Sequence, residues 1–445
     1  MKRFLAKVVK NNNFLSLGGN IAASGLGFIS FAILVRYLDK DVFGNWILFL
    51  TLTTLVEMMR TGLLQTGLIK FLSGKDSEEQ KVVVGTGWVF ALLTTLAGAL
   101  ICLVLYIIAS YSIRTQGVLL FFKWYPVLIL VSLPFNFAAW YLQARMRFQH
   151  LLFIRSIILF CFVSCILFFL NRLSLELVVF SYIGSQVVCS IVCLLCRWTG
   201  ISLILHARRS CLASLFNFGK YSMGTMLGAN LLRNSDTLII GALINAEAVA
   251  LYSVPLKLFE IVEIPLRSFV ATALPLMSSF LNSGEKSKVS DFFERTSGAF
   301  TLILIPFVIL SILFADPLVR ILGGEGYGAA ANIFRVFAIF ALFMPIDRYS
   351  GVALDILNKP SLNFLKVILM LTVNIAGDVL VIKLTGKVFP VAVVSIITFT
   401  TGVFLGMVFL RKYIDFSYRN ILYKGAGELK LYLAKILNKI KPATH

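Results

Sequence analysis

The stretch NWILFLTLTTLVEMMRTGLLQTGLIKFL, residues 45–72, is long enough to cross a bilayer, yet it carries Glu57 and Arg60 near its middle. About 20 predominantly apolar residues span the hydrocarbon core as a helix. A charged side chain at the centre of such a helix costs roughly 2.5–3.5 kcal/mol on insertion scales, and the groups that persist there face each other or a water-filled cavity. Glu57 and Arg60 stand three apart, a spacing that places them on one helical face. The run therefore reads as a membrane helix that keeps two charges for a reason.

Runs of the same kind recur along the whole chain. Hydrophobic residues make up 59% and charged residues only 14% of the 445, where a soluble domain carries about 25% charged. In lipid every backbone polar group must be satisfied internally, so the fold class is an all-α polytopic membrane protein. Twelve spans are expected, over 13–36, 43–72, 82–110, 117–142, 150–170, 174–197, 214–243, 248–281, 296–315, 328–355, 362–383 and 388–410. The basic opening MKRFLAKVVKNNN leads into a span-length run, which reads as a first span and not as a cleavable leader.

The net charge of +20 would point to nucleic acid in a soluble chain, but here it is an orientation signal. With the N-terminus inside, 27 Lys and Arg fall on the inner side against 8 on the outer. Both termini are therefore expected in the cytoplasm. The tail GELKLYLAKILNKIK sets Leu429, Tyr432, Leu433, Leu437 and Ile440 on one stripe, with lysines largely opposite. Such a helix is expected in the headgroup region of the inner leaflet.

Sliding the chain by 206 residues lays the second span over the eighth. Asp41 then meets Glu247, Gly44 meets Ala250 and Trp46 meets Tyr252. Glu57 falls on Glu263, and Arg60 falls one place before Arg267. An even number of spans per repeat gives two six-helix lobes of the same orientation, as in transporters with halves related about the membrane normal. The expected organisation is a lobe over 1–198, a cytoplasmic linker over 199–213, a second lobe over 214–411 and a basic amphipathic tail over 412–445.

Thirteen charges in the spans stand out, seven carboxylates (Glu57, Asp236, Glu260, Glu263, Asp347, Asp355, Asp378) and six basic groups (Arg60, Arg233, Lys257, Arg267, Arg335, Arg348). Glu57 with Arg60, Arg233 with Asp236, and Glu263 with Arg267 are spaced to form pairs, which could simply hold the bundle together. Arg335 has no opposite charge near it in sequence, Lys257 has Glu260, and Arg348 follows Asp347 near the inner end of the tenth span. Arg is always charged, and its planar fork matches phosphate. Arg60, Arg233, Lys257, Arg267, Arg335 and Arg348 are therefore the candidate groups for an anionic cargo. Glu57, Asp236, Glu263 and Asp378 are the candidates for coupling or gating.

Other chemistry is thinly represented. The seven cysteines include Cys189, Cys193 and Cys196 on one helix, but no His or carboxylate lies beside them, so they read as packing residues. His150, His206 and His445 fall in loops or at the tail, and no phosphate-cradling Gly-rich motif with its Lys is present. Pro255, Pro265 and Pro275 recur through the eighth span, and Pro306, Pro345 and Pro390 are expected to interrupt others.

Two stretches carry a family resemblance. GGNIAASGLGFISFAILVRYLDKDVFGNWILF at 18–49 and NLLRNSDTLIIGALINAEAVALYSVPLKLFEIVEIPLRSFVATALPLMS at 230–278 resemble the oligosaccharide flippases. These are the O-antigen and polysaccharide-repeat translocases of the multidrug/oligosaccharidyl-lipid/polysaccharide exporter superfamily. The series Asp236, Gly241, Tyr252 and Pro275 looks like that family's seventh and eighth spans. The resemblance implies a bacterial inner-membrane transporter, not an enzyme. It would flip undecaprenyl-pyrophosphate-linked oligosaccharide from the inner to the outer leaflet by alternating access, for lipopolysaccharide or other surface polysaccharide assembly. A polymerase is an implied partner, and no cofactor is implied beyond a coupling proton or sodium ion. Twelve spans fit this branch better than the peptidoglycan-precursor flippases, which usually have fourteen. Drug-exporting relatives place acidic groups in the cavity, so Glu57, Asp236 and Glu263 keep a cation-coupled exporter as the alternative. An inside-negative potential favours outward movement of a doubly negative headgroup by about 5 kcal/mol at 100 mV, at about 2.3 kcal/mol per charge.

Overall fold

The computed structural model describes residues 12–72, 76–112 and 115–440, with no strand among them. Six long helices come first: α1 (Asn12–Tyr37), α2 (Lys40–Leu72), α3 (Ser77–Ser112), α4 (Gln116–Ala144), α5 (Phe148–Phe168) and α6 (Leu175–Leu195). A 3₁₀ turn, Ile201–His206, leads to α7 (Arg209–Leu243), α8 (Ala246–Asn282) and α9 (Lys286–Leu313). The short α10 (Ala315–Gly323) precedes α11 (Ala330–Phe340) and α12 (Met344–Ile356). The chain ends in α13 (Pro360–Thr385), α14 (Phe389–Leu410) and α15 (Tyr418–Ile440).

These elements match the twelve expected spans one for one, with α11 and α12 together making the tenth. Those two form a broken span bent by 45°. Pro345 stands in the first turn of α12, where its missing N–H costs nothing. Pro306 lies inside a continuous α9. Pro390 corrects the expectation of an interruption: it sits in the first turn of α14 and starts that helix.

The 206-residue repeat reappears in the helix boundaries. Tyr37 and Leu243 end α1 and α7, and Lys40 and Ala246 begin α2 and α8, each pair 206 apart. Trp46 and Tyr252 are both buried.

Packing divides the chain into two units, one of residues 1–234 with 245–250, the other of 235–244 with 251–445. The division falls inside α7, and the expected linker at 199–213 belongs to the first unit. In that unit Trp88 stacks on Phe137 at 4.2 Å in a core with Leu64, Leu68, Val84 and Leu133. Asn45 of α2 accepts the N–H of Gly117, an otherwise orphaned donor in the first turn of α4, at 2.7 Å. The early turns of α7 lie directly on α2: a Cβ at Gly219 would come 2.1 Å from the Leu63 carbonyl oxygen. The Thr66 hydroxyl donates to Ser222 there at 2.9 Å. Cys189 and Cys193 are buried in a separate apolar cluster between α4, α5 and α6.

In the second unit α15 packs on α9. A Cβ at Gly298 would lie 1.8 Å from the Ile421 carbonyl oxygen, so the two backbones touch. Glu294 accepts the Ser417 N–H at 2.8 Å, which caps the entry to α15. Lys424 bonds Asp291 at 2.8 Å and Glu294 at 2.6 Å, and those two bonds raise its pKa. Ser417, Ile421 and Lys424 all meet α9 between Asp291 and Gly298, so α15 begins as a protein-packed helix. These docked turns precede the stretch GELKLYLAKILNKIK that is expected at the lipid headgroups. The side chains of Tyr432, Leu433, Leu437 and Ile440 lie outside the described residues.

Candidate functional site

Three charged groups meet in the second unit. Glu263 and Arg267 are four apart on α8 and pair on one face. Arg348 reaches the other oxygen of Glu263 from α12, at 3.6 Å. The carboxylate is buried, while the two guanidiniums remain 48% and 47% exposed. Two positive groups share one negative group, which leaves an accessible net charge of one. One turn and more before them, Lys257 pairs with Glu260 at 2.7 Å.

The backbone of Arg348 is held by its neighbour. Asp347 points into the protein and takes the buried Lys366 ammonium at 2.7 Å, and the Asp347 carbonyl takes it at 3.0 Å. Gly402 and Gly406 of α14 leave room for this pair, since a Cβ at Gly402 would come 2.9 Å from the Asp347 carboxylate. Lys366 is buried in α13. Removing one partner of a buried ion pair costs about 3–5 kcal/mol, whereas replacing both with apolar groups is often neutral. Lys366→Met is therefore expected to lower the melting temperature in detergent by roughly 6–20 °C, at about 2–4 °C per kcal/mol. Lys366→Met combined with Asp347→Leu should recover most of that loss, and a double variant no better than the single one would contradict the buried-pair account.

A second polar cluster lies where α7, α8, α13 and α14 meet. Asn374 donates to Asp236 at 2.6 Å and to Asp378 at 3.1 Å, and it accepts from Thr398 at 2.9 Å. Tyr252 donates to Asp236, and Ser395 donates to the same carboxylate at 3.3 Å. Asp378 is fully buried, and its Oδ1 has no hydrogen-bond partner. The partners named here for the two carboxylates are all neutral. Burying two such charges is costly without a positive counter-charge. A proton fits, and so does a hard cation, because the donors are all oxygens: carboxylate, amide and hydroxyl.

The first unit holds Glu57 and Arg60. Arg60 is 4% exposed; its buried Nε has no partner, while its two terminal nitrogens bond to the wall of the unit. They reach Glu57 at 2.8 Å, the Ile129 carbonyl at 3.0 Å and Ser132 at 3.0 Å. Glu57 also accepts from Tyr125 at 3.0 Å and from Asn136 at 3.4 Å. The more accessible member is thus the carboxylate. Equal positions in the repeat carry unequal groups: the guanidinium is buried in one unit and half exposed in the other. The one-residue offset between Arg60 and Arg267 is enough to turn it elsewhere, by about 100° around a helix.

Of the expected cargo groups, Arg335 and Arg233 remain. Arg335 ties α11 to α10 through Asp316 and also bonds Asn332 at 2.6 Å, so it braces the short helix. Arg233 is exposed on α7 within the first unit. The structure thus brings together Glu263, Arg267 and Arg348, then Asp236 and Asp378, then Glu57 and Arg60. Asn374, Ser395, Thr398 and Lys366 were missed. The signal for Asn374 was its i,i+4 spacing to Asp378 inside an apolar span.

A family model described as "Polysaccharide biosynthesis protein" matches residues 33–332, more than half of the chain and including α2 and α8 of the repeat. The chain belongs to that family. Among curated relatives, this family member is 21% identical over 206 residues to the probable low-salt glycan biosynthesis flippase Agl15 of Haloferax volcanii. The match covers 46% of this chain and 43% of Agl15. The chain spans less than half the length of the curated relatives it matches. Among solved structures, the lipid II flippase MurJ in an inward closed conformation superposes with a TM-score of 0.71 at 12% identity, over 96% of this chain and 93% of MurJ. An inward-facing multidrug resistance MATE family transporter gives 0.69 at 12% identity, over 95% and 96%. The family member therefore shares the fold of these two-lobe membrane proteins and is itself a multi-span membrane protein.

Proposed function

We propose that this protein flips lipid-linked polysaccharide repeat units from the inner to the outer leaflet of a bacterial inner membrane, with both termini in the cytoplasm. The cargo is an oligosaccharide on undecaprenyl pyrophosphate, handed on to polysaccharide polymerisation. The observation that carries this reading is the pair of half-exposed guanidiniums, Arg267 and Arg348, sharing the single buried carboxylate of Glu263. Arg and phosphate form charge-assisted, bidentate bonds. An arriving diphosphate takes over both guanidiniums, and Glu263 holds them in place until it does. Arg60 acts as a positioning residue that orients Glu57. Family membership and the glycan flippase relatives support the cargo class.

Asp236 and Asp378, with Asn374, Ser395 and Thr398, would hold a coupling proton or sodium ion. When bound, it supplies the positive charge that lets both carboxylates stay buried. The same cluster favours a second reading, a cation-coupled small-molecule exporter, which the MATE fold also accommodates. Deleting the gene separates the two. The flippase reading expects loss of surface glycan and accumulation of lipid-linked repeat units on the inner leaflet. Unchanged surface glycan together with increased drug sensitivity would replace it with the exporter.

A further inference from the structure

The connection between α6 and α7 is fixed on one side and bare on the other. Trp88 of α3 donates to the Thr199 carbonyl at 2.9 Å, and the Arg208 N–H donates to Thr86 at 3.0 Å. A Cβ at Gly85 would sit 2.2 Å from the Leu203 carbonyl oxygen, so the 3₁₀ turn Ile201–His206 rests on the backbone of α3. Leu203 and Ile204 pack into the core around Trp88. The turn is therefore held from below along its whole length.

Its other side carries an unusual combination. Leu205 is 91% exposed and Ile201 is exposed as well. Arg197, Arg208 and Arg209, all exposed, flank them within a few residues. No Asp or Glu occurs anywhere from residue 177 to residue 235. A pinned turn that offers apolar tips among guanidiniums with no carboxylate near them in sequence matches one surface in particular: acyl chains just beneath anionic headgroups. The balance of Lys and Arg places this connection on the inner side, where the leaflet is negatively charged.

We infer that the 201–206 turn is an anionic-lipid docking surface, with Leu205 seated at the headgroup boundary and Arg197, Arg208 and Arg209 binding lipid phosphates. Docking holds the connection between the sixth and seventh spans at the membrane plane. The inference depends on membrane placement and not on which cargo is carried.

The full-length protein in nanodiscs tests it by hydrogen–deuterium exchange of residues 200–207. Discs of phosphatidylcholine alone are compared with discs containing phosphatidylglycerol. Each Arg near an anionic surface contributes on the order of fivefold in affinity. Exchange in the turn should slow at least tenfold with phosphatidylglycerol and return to the phosphatidylcholine rate in 0.5 M salt. Arg197→Gln, Arg208→Gln and Arg209→Gln together should abolish the lipid effect. Leu205→Asp, with every guanidinium in place, should weaken it, and unchanged exchange of residues 84–95 reports that each variant is folded. Equal exchange in the two kinds of disc overturns the inference, as does full protection in the triple variant. Protection that appears only on adding a cytosolic extract would also overturn it, in favour of a protein partner.

Discussion

Replacing Arg267 and Arg348 together by alanine should remove surface polysaccharide while the protein stays at wild-type level in the membrane. Both side chains are half exposed and meet at one carboxylate, so their loss leaves the helix backbones in place. A hydrogen bond to a charged group contributes about 1.5–3 kcal/mol. Two such bonds to a diphosphate amount to roughly 3–6 kcal/mol, or about 10²–10⁴-fold in headgroup affinity. Each single variant should lose about the square root of that factor. Arg267→Lys with Arg348→Lys keeps the charge but not the planar fork, so it should fall between the double alanine variant and wild type. Glu263→Gln is the informative opposite. It leaves both guanidiniums without their internal competitor, so headgroup binding should tighten, by about tenfold, while turnover slows as release becomes harder. Binding of a short-chain polyprenyl diphosphate to the purified protein, beside surface glycan in cells, reads out both effects. Wild-type glycan in the double alanine variant would remove the headgroup role from this site.

The limits of the sequence follow from how far apart partners lie along the chain. Glu263 and Arg267 share a helix face by spacing alone, and their pairing was legible. The second guanidinium on Glu263 comes from Arg348 on another helix, and no periodicity connects them. Arg60 shows the same limit from the other direction. Its bond to Glu57 follows from the i,i+3 spacing, but Ile129 and Ser132, which its terminal nitrogens also bond, lie 69 and 72 residues away. Arg335 looked unpaired for the same reason, since Asp316 stands 19 residues earlier on a separate helix. The helix boundaries were far more legible. They depend on local hydropathy and on the 206-residue repeat, which recovers the turns after Tyr37 and Leu243 alike. Lys366 departs from the ordinary pattern, in which a lysine near the end of a span snorkels to the headgroups. Here Asp347 and two glycines of α14 make a buried place for it.

The Asp236–Asp378 cluster gives the second large effect, and its sign is the useful part. Two buried carboxylates share Asn374 and have the neutral partners named above, so whenever both are ionised their charge destabilises the cluster. Asp378→Asn is nearly isosteric and removes one of those charges. The variant should melt higher than wild type in sodium-free buffer at neutral pH, by about 1–2 kcal/mol or roughly 2–8 °C. Wild type should close that gap when the coupling ion is supplied, since a ligand at 100 times its dissociation constant adds about 2.7 kcal/mol. Sodium chloride, compared with potassium chloride at equal ionic strength, identifies sodium as the ion, and stabilisation on acidification alone identifies a proton. The Asn variant should respond to neither. Transport should show the reverse order. In proteoliposomes an imposed ion gradient accelerates wild-type flipping, and Asp378→Asn should run at the ungraded rate whatever the gradient. A variant less stable than wild type under every condition would show the cluster to be a structural hydrogen-bond network. Gradient-driven flipping that survives in Asp378→Asn would place coupling elsewhere, with Glu57, a partly exposed carboxylate inside the second span, the next group to replace.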